Sequence, residues 1–221
     1  MNHKSTIEFG IIGMGRFGSA LAQRLLEEGR DVLIIDNNES NLKRIRNLTE
    51  NVFLVEELTK ESLEETGVQN CETVIVCIGA KIEASILTTL NLINMGIPRV
   101  ISKATSYEQG CVLEKIGAEV VYPERDMAIR LGNRLMYSNI LDFIQLRDDI
   151  TISKLKITKN ISGQTIAELN IRQKFKLNII AVERENVTVV EVTPDCILKE
   201  NEVIVVIGSK KNVERFEKIL I

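Results

Sequence analysis

The sequence predicts a doubly wound α/β domain, a parallel sheet covered by helices on both faces, followed by a smaller α+β domain. Three patterns carry that prediction. Short apolar runs alternate with amphipathic stretches from Ile7 to Tyr122. A glycine cluster, Gly13-Met14-Gly15-Arg16-Phe17-Gly18, joins the first apolar run to the first amphipathic one. From Ile152 onward, β-rich runs separated by turn residues replace the alternation. Strands that are apolar throughout need helices on both faces of their sheet, which is the parallel, doubly wound arrangement.

The elements follow in order. Ile7–Ile12 reads as the first strand, and Gly18–Glu28 as a helix with Leu21, Leu25 and Leu26 at helical spacing. Gly29 ends that helix, Val32–Ile35 is the second strand, Ser40–Leu48 a helix and Val52–Val55 the third strand. Thr59 is placed to cap a helix over Lys60–Thr66 that Gly67 closes. Val74–Ile78 is a fourth strand, and Glu83–Met95 a helix stopped by Gly96-Ile97-Pro98. Val100–Ser102, the helix Ser106–Ile116 and the strand Glu119–Tyr122 complete the sheet. A long helix, Met127–Tyr137, then leads through a linker, Asn139–Leu146, and a charged Arg147-Asp148-Asp149. The second domain reads as Ile152–Ile157, Ser162–Leu169, Asn178–Glu183, Val187–Val192, Val203–Ile207 and a closing helix Lys210–Ile219. Glu185-Asn186 supplies a hairpin turn. The division is expected as residues 1–140, a Rossmann-like nucleotide-binding domain with its crossover helix, and residues 141–221, linker and C-terminal domain. A region this small is marginal alone and is expected to lean on a partner copy.

The glycine cluster is the most chemical feature. Glycine lets the backbone turn tightly and approach a ligand unobstructed. The helix behind it offers free N–H groups and a positive dipole end to a pyrophosphate. Asp36 follows the second strand, where a carboxylate accepts hydrogen bonds from ribose hydroxyls. Gly13, Gly15, Gly18, Phe17 and Asp36 therefore place an adenine nucleotide or dinucleotide in an N-terminal crevice.

Composition narrows the partners. The 221 residues carry 28 Lys and Arg against 31 Asp and Glu, a net charge of -3 without a dense basic block. Nucleic acid is not the expected partner, because phosphate contacts need a concentrated basic face. Cys71, Cys77, Cys111 and Cys196 form no C-x-x-C pair and read as reduced thiols, with Cys77 in the core. The apolar runs are far shorter than the roughly 20 residues a membrane span needs. Membrane association is expected only through a partner. Catalytic groups are sparse: His3 is the lone histidine, in a polar N-terminal stretch, and neither a nucleophile elbow nor a Walker loop occurs. The nucleotide reads as a signal and the chain as no enzyme.

Four residues could turn binding into signalling. Arg16, inside the glycine loop, can direct its guanidinium at phosphate oxygens. Gly79, with Lys81 and Glu83 beyond it, closes the fourth strand where doubly wound folds place ligands. Lys103 follows the fifth strand toward the same crevice. Glu124, just past the sixth strand, could meet phosphate through Mg²⁺ or pair with a basic neighbour such as Arg125.

Across essentially its whole length the chain resembles the cytosolic gating subunits of bacterial Ktr/Trk-type potassium uptake systems, built from RCK (KTN) domains. The matching stretches are Phe9–Gly18, Val74–Gly79, Ala84–Leu90, Val112–Ala118 and Pro123-Glu124-Arg125-Asp126-Met127, the last three being the more specific. The resemblance implies ATP and ADP as ligands, with Arg16 at the terminal phosphate, Asp36 at the ribose, and Lys103 and Glu124 near the phosphates, Glu124 supporting a divalent cation. It implies homodimers assembling into an octameric ring beneath a membrane-embedded potassium-translocating subunit, at the cytoplasmic face of the membrane. The C-terminal stretches Leu169-Asn170-Ile171-Arg172 and Asn178–Val182 resemble the RCK C-terminal module. There the resemblance implies cyclic di-AMP in a groove between two copies, with Arg172, Asn178, Ile166 and Pro194 as contacts. One departure stands out: Val55-Glu56-Glu57-Leu58 replaces the family's Gly-Asp-Ala-Thr near the adenine, leaving Glu56 to accept from the base amino group. Altered nucleotide selectivity is the expected consequence. The alternatives are a small NAD(H)-dependent oxidoreductase, since glycine loop and Asp36 alone do not separate NAD from ATP, and a nucleotide-sensing transcriptional regulator.

Overall fold

The computed structural model describes residues 7–136, 139–146, 148–185 and 187–221. The expectations that rest on His3, Tyr137, Arg147 and Asn186 lie outside the described residues. The chain forms two compact units that divide between Asp126 and Met127.

The first unit alternates strand and helix: β1 (Ile7–Ile12), α1 (Arg16–Glu27), β2 (Val32–Asp36), α2 (Glu39–Leu42), β3 (Val52–Leu54), α3 (Lys60–Glu65), β4 (Cys71–Val76), α4 (Ile82–Asn94), β5 (Arg99–Lys103), α5 (Tyr107–Lys115) and β6 (Glu119–Val121). All six strands are parallel, in the order β3-β2-β1-β4-β5-β6. The two-residue period of a strand sends alternate side chains to opposite faces. Ile12, Leu33, Ile35, Val74 and Val76 build one core layer, while Ile11, Ile34 and Ile75 build the other. A parallel sheet sandwiched by helices results, as the apolar runs predicted.

The departures have local causes. The helix expected over Ser40–Leu48 stops at Leu42 and resumes as a 3₁₀ turn, Ile45–Asn47. Leu42 and Ile45 are both buried, and their three-residue spacing fits the tighter turn. The fourth strand starts three residues earlier than expected, at Cys71, and ends at Val76. Next comes α6 (Pro123–Met136), which begins at Pro123 and not at Met127. Proline is tolerated in a first helical turn because its missing N–H would have no partner there.

The second unit is antiparallel. It comprises β7 (Ile140–Gln145), β8 (Ile150–Lys156), α7 (Ile166–Leu169), α8 (Ile171–Phe175), β9 (Asn178–Arg184), β10 (Val187–Val189), β11 (Val203–Ser209) and α9 (Lys210–Leu220). The sheet order is β10-β9-β11-β8-β7. The stretch expected as a linker is therefore a strand, because β7 pairs with β8 and buries Ile140 in the core. Leu155, Val182, Ile204 and Val206 of the sheet pack with Val213, Phe216 and Leu220 of α9. Within the expected element Ser162–Leu169 the chain forms α7, capped by reciprocal bonds between Thr165 and Glu168. Asn170 in the left-handed region (φ 47°) ends α7 and starts α8, an element the sequence did not announce. No helix among the described residues is long and apolar enough to cross a membrane.

Candidate functional site

The strand order reverses between β1 and β4, and in such sheets ligands enter the crevice beyond the carboxyl ends of those strands. A crevice of about 560 Å³ opens there. Gly13, Gly15, Arg16 and Phe17 form one wall. Gly13 has φ +98°, and a β-carbon on it would lie 3.2 Å from the Cys77 carbonyl carbon. Gly15 takes the N-cap position of α1 without a side-chain cap, leaving the helix's first N–H groups to a ligand. Gly18 does different work. It does not line the crevice; a β-carbon there would fall 2.0 Å from the Gly13 carbonyl oxygen, so it serves the close packing of α1 on the loop.

Asp36 ends β2 and is buried at the crevice floor. Its Oδ1 accepts from the Asn38 N–H at 2.7 Å and from Asn41 Nδ2 at 3.1 Å, and its Oδ2 accepts from the Met14 N–H. The carboxylate is thereby fixed in orientation before any ligand arrives. A carboxylate has about four acceptor positions, so capacity remains for a ribose hydroxyl. Asn37, Asn38 and Asn41 also line the crevice. Sequence reasoning missed them, though the polar run Asp36-Asn37-Asn38 and Asn41 after an apolar strand was the available signal.

Gly79, Lys103 and Glu124 form the opposite wall with Lys81 and Thr105. Lys103 is the last residue of β5 and is only 8% exposed. Its Nζ donates to Glu124 Oε1 at 2.6 Å and lies 6.0 Å from the Phe17 ring centroid. A β-carbon on Gly79 would approach that Nζ to 3.5 Å. Glu124 stands in the first turn of α6. The Lys103 hydrogen bond, with the Lys103 and Arg16 charges adding, holds the Glu124 carboxyl below the ordinary carboxylate range. Among the described residues no cluster of His, Cys, Asp or Glu could hold a metal ion. The Glu124 carboxylate is already occupied by the Lys103 ammonium. Cys77 lines the crevice too, but burial pushes its thiol up to about 12, so it stays protonated and inert near neutrality. All four cysteines are free.

Glu56 is exposed and does not line the crevice; it borders a separate depression with Glu57 and Thr59. Leu58, from the same loop, does line the crevice. In the second unit Arg172 and Asn178 come together with Gln173 and Lys176 around an open depression of about 380 Å³. Ile166 and Pro194 lie outside its lining. They are neighbours of each other: the Ile166 N–H donates to the Cys196 carbonyl at 3.0 Å and the Ala167 N–H to that of Pro194 at 2.8 Å.

The first unit is thus a doubly wound, Rossmann-like α/β domain, and residues 9–123 match the TrkA-N domain. Residues 150–221 match the TrkA-C domain. The chain is 35% identical over 211 residues to Ktr system potassium uptake protein A of Bacillus subtilis (strain 168), covering 95% of both chains. It is 34% identical to Ktr system potassium uptake protein C of the same organism, covering 96% of both. The chain belongs to this family of Ktr and Trk potassium uptake proteins with TrkA-N and TrkA-C domains. Its fold is similar to that of the GsuK channel bound to NAD (TM-score 0.66, 18% identity); it aligns over its entire length and spans 40% of that chain.

Proposed function

We propose that this chain is the nucleotide-sensing regulatory subunit of a potassium uptake system. ATP or ADP occupies the crevice beyond β1 and β4, with Asp36 on the ribose and the α1 N-terminus, Arg16 and Lys103 on the phosphates. The observation that carries this reading is the convergence, in one crevice, of a glycine-lined helix start, a pre-oriented carboxylate and the cations Arg16, Lys81 and Lys103. The whole-length likeness to potassium uptake proteins supports the transport assignment. The nucleotide is sensed and not consumed.

Copies of the chain pair and close into an octameric ring at the cytoplasmic face of a membrane-embedded potassium-translocating subunit, and exchange of ATP for ADP alters the ring's shape. Because Lys103 occupies Glu124 within one chain, a divalent ion at Glu124 would need phosphate oxygens and a further copy to complete its shell. The domain division for function falls at residue 140, after the crossover helix. In the C-terminal unit Arg172 and Asn178 meet cyclic di-AMP, with Ile166 and Pro194 supplying apolar contacts across a groove between two copies. The displacement of Glu56 from the crevice supports altered base selectivity.

Equilibrium competition tests the crevice reading. ATP and ADP should displace each other at one site per chain without release of inorganic phosphate. Tight NADH binding that ATP does not displace, with a substrate-dependent absorbance change, would instead support the oxidoreductase alternative.

A further inference from the structure

Lys176 closes α8 at φ 56° and ψ 35°, a backbone region that favours glycine or asparagine over residues with a branched or long side chain. Its neighbours fix it there. Phe175 meets the Phe216 ring edge-on with centroids 5.2 Å apart, Leu177 is fully buried, and the Lys176 N–H donates to the Arg172 carbonyl at 3.1 Å. The turn is pressed onto β11 at Gly208, where a β-carbon would lie 2.5 Å from the Leu177 side chain and 3.2 Å from the Lys176 carbonyl oxygen. With both flanking residues anchored in the core, the lysine side chain is left at the surface.

Arg172, four residues earlier, lines the same depression as Lys176, together with Gln173 and Asn178. Among the described residues no carboxylate pairs with Arg172 or Lys176. Like charges lining one depression oppose each other, and the lysine's backbone geometry costs stability as well. Core packing of Phe175 and Leu177 offsets the second cost. An anion would offset the first.

We infer that Lys176 is a phosphate-binding residue of this depression, a second cation that grips a phosphodiester jointly with Arg172. Gln173 and Asn178 add neutral amide donors at its rim. The identity of the ligand as a cyclic dinucleotide rests on the C-terminal reading proposed above; the paired cations are a separate observation.

Calorimetric titration of the full chain with cyclic di-AMP, and separately with inorganic pyrophosphate, tests both. Lys176→Gly should weaken cyclic di-AMP about fivefold while melting no lower than wild type, because glycine relieves the left-handed geometry. Lys176→Arg, which keeps charge and strain, should bind as wild type does. Unchanged affinity in Lys176→Gly, or equal losses in Lys176→Gly and Lys176→Arg, would overturn the inference and leave the cyclic di-AMP reading standing. A Lys176→Gly chain that binds less but also melts well below wild type would overturn it too, by assigning the loss to folding. Binding of pyrophosphate alone, dependent on Lys176, would support the cation's role and remove cyclic di-AMP as its ligand. No binding of either probe to wild type would remove both.

Discussion

Arg16 and Lys103 present positive charge to the same crevice, yet they are held differently. Lys103 is buried and tied to Glu124, while among the described residues no hydrogen bond or ion pair holds Arg16. A long side chain without a fixed hydrogen bond can follow the terminal phosphate, whose presence distinguishes ATP from ADP. Arg16→Gln should weaken ATP about tenfold and ADP much less, the size of one charge-assisted phosphate contact. Equal losses, read by equilibrium binding, would remove that role. The Lys103–Glu124 pair also has a pH signature. Its lowered Glu124 carboxyl contributes stability that is fully present above the ordinary carboxylate pKa. That contribution is lost as pH falls through the lowered value. Thermal melts should therefore show Glu124→Gln less sensitive to acid than wild type, by a small margin because Glu124 is 65% exposed. An identical acid slope in the two proteins would contradict the pairing.

Elements whose limits are written in neighbouring residues were legible in the sequence. Thr59 accepts from the Ser62 N–H at 3.2 Å at the start of α3, and Gly67 follows its end at φ 79°, both as the local pattern predicts. The glycine loop and Asp36 were legible for the same reason, since strand, turn and helix are contiguous. Limits set by distant residues were not. β7 exists because β8 is there to pair with it, and α2 breaks where Leu42 and Ile45 both reach the core. The Asn41 bond that orients Asp36, the Lys103–Glu124 pair and the cations around Lys176 likewise depend on folding. The capping box of α7 was not read from the sequence, although Thr165 and Glu168 stand at its three-residue spacing. Thr165→Ala removes its side-chain acceptor and should cost about 1 kcal/mol, seen as a lower melting temperature. An unchanged melting temperature would show the cap to be idle.

For the molecule as a whole, the proposed function divides between a parallel unit with a glycine-lined crevice and an antiparallel unit with a basic depression. Net charge near zero and dispersed lysines and arginines leave recognition to these local sites and not to a long-range field. A signal held in the crevice reaches a transporter only if neighbouring copies respond to it. Small-angle scattering from the assembled chain, with ADP exchanged for ATP at full occupancy, tests that requirement most directly. The account predicts distinct scattering profiles for the two nucleotides, reversible on exchange. Superimposable profiles, with both nucleotides bound stoichiometrically, would contradict it.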